Sequence, residues 1–294
     1  MSTHQRIELD PHSLKELKRL RPAKWIAAMS IDWAVIVIAL WSACYFDHWA
    51  LYLLAWLVVG NRQHALTVLG HEGVHRLISH NHKLNDLLSN VFCFWPMTMS
   101  VHGFRKFHLY HHRFCKTEQD PERDLFEMKY FSLPLSRNGL LFRVLKDLLG
   151  FGAWDTRYVL DKMSAPKRMD RVMPYLFLTV LSAIFIGLSL WEVPLLWFVS
   201  MVTSQFAITR LRTWTEHTGT VEAYKFTAHP VILHAIYPHN IWIHYEHHHY
   251  PLIPYYNLPA ARAKYPEHVQ SFTQVYRHIF KLDKNEFSAD PVAR

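Results

Sequence analysis

WALYLLAWLVVGNRQHALTVLGHEGVH, residues 49–75, decides the fold. The stretch opens as an apolar run at Trp49 and closes on two histidines, His71 and His75. Roughly 22 residues separate Trp49 from His71, about 33 Å of helix, enough to cross the hydrocarbon core of a bilayer. Two imidazoles spaced i, i+4 fall on one helical face, here where the helix would leave the membrane. A polar patch, Asn61-Arg62-Gln63-His64, interrupts the run. Polar groups at that depth are costly and face a cavity or a partner. The patch reads equally as the wall of a substrate tunnel, as support for ligands, or as helix–helix hydrogen bonding.

Working outward, residues 25–46 are apolar apart from Asp32, and Asp47-His48 makes a minimal turn into Trp49. A similar pair follows: residues 172–190, the turn Trp191-Glu192, and residues 193–208. The expectation is an all-α integral membrane protein. Four transmembrane helices form two hairpins, and a cytosolic helical cap holds the site. The whole chain, 1–294, reads as one domain. Its parts are an interfacial N-terminus (1–24), the first hairpin (25–83), a middle region (84–171), the second hairpin (172–217) and the cap (218–294). Residues 84–104, broken by Pro96, read as an interfacial or re-entrant element, and 139–162 as an amphipathic surface helix.

Neither tight turn carries a Lys or Arg, whereas the N-terminal segment, the middle region and the tail are rich in them. The positive-inside bias then places both termini and the middle region in the cytoplasm, with a bacterial inner membrane as the expected location. A net charge of +8 suits cytoplasmic loops. No nucleic-acid motif accompanies that charge, so nucleic acid is not expected as a partner. Cys44, Cys93 and Cys115 are scattered, which fits neither a disulfide framework nor a zinc C-x-x-C pattern.

The histidines cluster three times: His71 and His75; His108, His111 and His112; His244, His247 and His248. Neutral imidazole binds Fe, Zn, Cu and Ni. Eight are too many for one ion and about right for two. On the expected topology all three clusters lie on the cytoplasmic side. His217 follows the fourth run at the same depth and is a ninth candidate. His249 points about 100° from His248 on a helix and is set aside. His71-Glu72-x-x-His75 also matches the zinc metalloprotease signature. An intramembrane protease would leave six clustered histidines idle, which favours the dinuclear reading.

Three features taken together resemble the membrane fatty acid desaturase superfamily: His-x-x-x-His, His-x-x-His-His, and Asn240-x-x-x-His244-x-x-His247-His248-x-x-Pro251, arranged around two hairpins. Asp120-Pro121 after the second cluster, Glu216-His217, and Pro254 with Leu258 agree with it. The resemblance covers about residues 50–260. It implies a non-haem diiron centre, two Fe ions with O2 as co-substrate, held by the nine histidines. It also implies that Glu72, Glu216 and Glu246 accept hydrogen bonds from ligand rings, and that Asn240 holds a metal-bound water. The three-residue gap in the first box is closer to bacterial acyl-lipid, sphingolipid and carotenoid branches than to acyl-CoA desaturases, which have four. The implied reaction puts a double bond into a lipid acyl chain. The alternative is hydroxylation or ketolation of an acyl chain, carotenoid or other metabolite. No His-Pro-Gly-Gly haem motif or clustered cysteines are present. Electrons are therefore expected from an external ferredoxin-, rubredoxin- or cytochrome b5-like donor.

Overall fold

The computed structural model describes residues 8–123, 133–154, 161–220 and 222–282. Their regular secondary structure is helical apart from a parallel pair of two-residue strands, β1 (Phe226–Thr227) and β2 (Gln270–Ser271). After the short α1 (Pro11–Leu17), α2 (Pro22–Phe46) and α3 (Trp49–Val74) form the first hairpin. Asp47 turns the chain in the left-handed region at φ 45°, and His48 Nδ1 caps α3 by accepting from Ala50 N at 3.2 Å.

The polar patch of α3 is used for docking. Arg62 Nη1 meets Asp32 Oδ1 of α2 at 2.9 Å, and His239 Nε2 meets the other oxygen of that carboxylate at 2.7 Å. Gln63 Nε2 donates to Trp197 O at 3.0 Å, and His64 bridges Thr209 Oγ1 and Ile236 O. Asn61 Nδ2 donates to Ala235 O. Of the three readings open in the sequence, inter-element hydrogen bonding is the one observed.

Next, α4 (His82–Ser89) runs into a π-helical turn, Asn90–Phe94, and a 3-10 turn, Trp95–Met97. Pro96, which has no N–H to donate, sits at the start of the 3-10 turn, where the π-helical ladder stops. Backbones approach closely: a Cβ on Gly73 of α3 would stand 2.4 Å from Ser89. α5 (Val101–Phe114) then starts on Ser100, whose Oγ accepts from Gly103 N. α6 (Arg137–Leu148) is amphipathic, with Leu141, Phe142 and Leu145 exposed and Asp147 turned inward, but it is shorter than the helix expected over 139–162: a turn at residues 149–152, with Gly150 at φ 85°, ends it. Residues 155–160 of that expected helix lie outside the described residues.

The third apolar run is α7 (Arg168–Gly187). The fourth departs from expectation. It is two helices, α8 (Glu192–Val202) and α9 (Ser204–His217), broken at Thr203. Hydroxyl chemistry explains the break. Thr203 Oγ1 bonds back to Val199 O and receives Trp56 Nε1 of α3 at 2.7 Å, while Ser204 Oγ donates to Trp56 O at 2.8 Å. Such side chains compete with the helical ladder and bend it.

Two of the described helices, α2 and α7, are long and apolar enough to cross a membrane. Their outward residues include Ile31, Val37, Ile38 and Ile184, all exposed. The expected four-span pattern is thus met only in part by length and composition. α3 is long but carries the polar patch, and α8 has 11 residues. The remaining helices, α10 (Pro230–Ile236), α11 (His244–His249), α12 (Leu258–Arg262) and α13 (Phe272–Ile279), form a cap. Its core includes Phe226, Tyr237, Val275 and Ile279, packed on Trp214 of α9.

Candidate metal centre

Four elements deliver histidines to one place: the end of α3, α5, the last residue of α9, and α11. They form two groups. His71, His75, His108, His112 and His247 make the first, and His111, His217, His244 and His248 the second; within each, ligand atoms lie within 4.8 Å of one another. All nine expected histidines are therefore brought together. Clusters in sequence are not clusters in space, however. The adjacent residues His111 and His112 part company, as do His247 and His248. The groups touch where His112 stacks on His248, ring centroids 4.3 Å apart.

The inward atoms are Nε2. His108 Nε2 lies 2.7 Å from that of His71, 3.1 Å from His75 and 2.8 Å from His112. In the second group, His217 Nε2 lies 3.1 Å from His111 and 2.9 Å from His244, and His244 lies 3.0 Å from His248. One imidazole nitrogen carries either one proton or one lone pair. It cannot satisfy three nitrogens by hydrogen bonding. Nitrogens bound about 2.0–2.1 Å from one ion at right angles would sit about 2.9 Å apart. The donor set therefore fits a metal ion in each group.

Electrostatics prepare the donors. Burial pushes His75 down to about 3 and His112 to about 2, and it holds His108, His217, His244, His247 and His248 well below the ordinary imidazole value. These rings are neutral at pH 7, as a ligand must be. His111 differs. Burial lowers it too, but Glu122 and the hydrogen-bonded Asp120 outweigh that and raise it.

Ring orientation is set from behind. His111 Nδ1 donates to Asp120 Oδ1 at 2.9 Å, and His217 Nδ1 donates to Glu222 O at 2.6 Å. Each contact turns the opposite nitrogen inward. Sequence reasoning assigned no role to either residue. Asp120-Pro121 was visible as a motif, whereas a backbone carbonyl leaves no trace in sequence.

The carboxylates chosen from sequence behave differently. Glu72 accepts from Tyr255 N at 3.0 Å, and Glu246 forms a two-pronged ion pair with Arg262, whose Nη1 reaches Phe226 O. Neither bonds to a histidine among the described residues, because neighbours along a helix diverge by about 100°. Glu216 comes nearest, with Oε1 3.8 Å from His244 Nδ1, beyond hydrogen-bond length. Asn240 Nδ2 donates to Tyr255 O at 3.1 Å, so that N–H is occupied by the protein itself.

A cavity of about 180 Å³ abuts both groups at His71, His108 and His244. Met97, Met99, Met163, Met201, Phe104 and Ile241 supply its apolar wall. Thr209, Thr213, Arg212, Gln205 and Glu216 line another side, all from α9.

This arrangement can be set beside known proteins. Dihydrorhizobitoxine desaturase from Bradyrhizobium elkanii is 32% identical over 133 residues, 44% of this chain and 36% of that protein. The sn-1 acyl-lipid omega-3 desaturase (ferredoxin) of Nostoc sp. (strain 36) is 28% identical over 137 residues, 43% and 38% respectively. The chain thus spans little more than a third of either relative's length. The family model for fatty acid desaturases matches residues 47–280, from the turn of the first hairpin through α13. The chain belongs to the fatty acid desaturase family of oxidoreductases.

Proposed function

We propose that this chain is an O2-dependent membrane oxidoreductase with two irons that introduces a double bond into a hydrophobic substrate, a lipid acyl chain being the family expectation. One observation carries the reading: nine buried or half-buried imidazoles converge as two adjoining groups at one end of a cavity. The first iron would be held by His71, His75, His108, His112 and His247, and the second by His111, His217, His244 and His248. Family membership supports iron over zinc. When bound, the pair supplies dioxygen activation, drawing two electrons from outside, and removal of two hydrogens from the substrate.

The chain's own residues position and exclude. Asp120 and the Glu222 carbonyl fix the tautomers of His111 and His217. The methionine and phenylalanine wall keeps water from the reacting carbon. The metalloprotease alternative gains no support, since Glu72, its would-be general base, is bonded to Tyr255 N.

In the membrane, α3 would accompany α2, and the bent α8–α9 would accompany α7, giving four crossings with the site and both termini in the cytoplasm. An acidic external carrier, ferredoxin-, rubredoxin- or cytochrome b5-like, would dock on the basic cytosolic side. Complementary charge there mainly raises the association rate. The name of the Nostoc relative mentions ferredoxin.

The test compares lipids and small metabolites of cells making the wild type with those making His247→Ala, together with iron content of both proteins. A wild-type product short of two hydrogens, with iron bound, supports the proposal. A product with added oxygen moves the assignment to hydroxylation or ketolation, and a wild type without iron overturns it.

A further inference from the structure

We infer that the substrate meets the metal groups with a compact polar head beside its reacting carbon, not with the middle of a bare hydrocarbon chain. The inference rests on the oxidoreductase reading above and deepens it to a substrate class.

The observation is the polar face of α9. Gln205, Thr209, Arg212 and Glu216 recur at i, i+4, i+7 and i+11, so they share one side of the helix, and all four line the cavity. A tunnel for plain hydrocarbon has no use for that stripe. Thr209 is committed elsewhere, its hydroxyl bonded to Gln205 O and facing His64. The others are not. Gln205 Oε1, Arg212 Nε, Glu216 Oε1 and His244 Nδ1 are buried and have no hydrogen-bond partner among the described residues. Arg212 Nε and Glu216 Oε1 lie 3.4 Å apart as an ion pair without a hydrogen bond. Buried polar atoms are rarely left unmade, because desolvation then goes uncompensated. Hydrocarbon against the accessible parts of the Arg212 and Glu216 side chains would be the costly choice.

Chemistry narrows the head. Arg212 offers donors to an anion, whereas Glu216 Oε1 and Gln205 Oε1 offer acceptors to N–H or O–H groups. The matching head carries both an anionic acceptor and a donor, an α-amino acid head being the simplest case. Size agrees. At about 180 Å³ the cavity falls below the roughly 300–1,000 Å³ of pockets for drug-sized ligands. The apolar wall opposite leaves room for a short chain.

The experiment uses the purified full chain in phosphatidylcholine nanodiscs. It is titrated with 2-aminooctanoate and with methyl octanoate, which share a chain length and differ in the ionic head. Binding is read by calorimetry and by the thermal unfolding midpoint. The expected result is binding of 2-aminooctanoate at least about tenfold tighter. Arg212→Met should abolish the preference, and Arg212→Lys, which keeps the charge, should restore part of it. Equal binding, no binding of either probe, or a preference that survives Arg212→Met overturns the inference. Iron content of the same samples is measured separately, so a missing metal tells against the oxidoreductase reading and not against the head-group pocket.

Discussion

Asp120 Oδ1 stands 2.9 Å from His111 Nδ1, on the opposite edge of the ring from the nitrogen that meets His217. The carboxylate also accepts from the backbone N–H groups of Lys116 and Glu122, so the loop after α5 holds it in place. Asp120→Asn keeps the shape and removes the charge. Loss of such a partner is expected to lower metal affinity or activity about 10–100-fold. Iron competition against a chelator checks this, and unchanged affinity with unchanged turnover would show that the aspartate serves only the loop.

His111 and His112 are neighbours in the chain but belong to different groups. Each alanine variant should therefore lose mainly one ion, from about two irons per chain to about one. The irons retained should be complementary, with distinct Mössbauer spectra in the two variants. Identical spectra from His111→Ala and His112→Ala would mean that the residues share an ion.

Asp147 on α6 pairs with the fully buried Arg210 of α9, Oδ1 to Nη2 at 3.0 Å. Removing the carboxylate takes a bonded counter-charge from a guanidinium buried in the interior. Asp147→Ala is expected to destabilise the protein by about 3–5 kcal/mol, measured by denaturant unfolding in detergent micelles. A change below about 0.5 kcal/mol, the range of an ordinary surface substitution, would contradict it.

Gly60 is where α3 meets the start of α9. A Cβ there would lie 2.0 Å from Ser204 Oγ and 2.7 Å from the Gln205 backbone nitrogen. Gly60→Ala should cost about 1–3 kcal/mol by overpacking and shift His217 at the far end of α9. Adding Ser204→Ala relieves only the first clash, so the double variant should recover little. Full recovery would place the strain in the hydroxyl alone.

The first hairpin was legible because two apolar runs flank a turn of two residues, whereas the second turn falls at residues 188–191 and not at Trp191-Glu192. The convergence of histidines was legible because i, i+3 and i+4 spacings share a helical face. The division between the two groups was not. Residues 111 and 112 differ by about 100° around α5, enough to straddle two ions lying side by side. Glu72 and Glu246 misled for the same reason: next to a histidine in sequence, each is turned away from it in space. The break at Thr203 carried no Pro or Gly to announce it, since the hydroxyls of Thr203 and Ser204 make it by bonding to Val199 O and Trp56. The role of Glu222 lies in its carbonyl, which every residue has.

The pairing of Asp32 with Arg62 reaches back to how the protein is made. A lone carboxylate or guanidinium in a span opposes insertion into the bilayer, by up to roughly 2.5–3.5 kcal/mol at the helix centre and less toward the interface. Asp32 leaves the ribosome first, and Arg62 follows one helix later. The charge on the first helix is answered only when the second arrives, so the two are best suited to leave the translocon as a unit. His239, emerging much later, closes on the same carboxylate and ties the finished cap to the first hairpin.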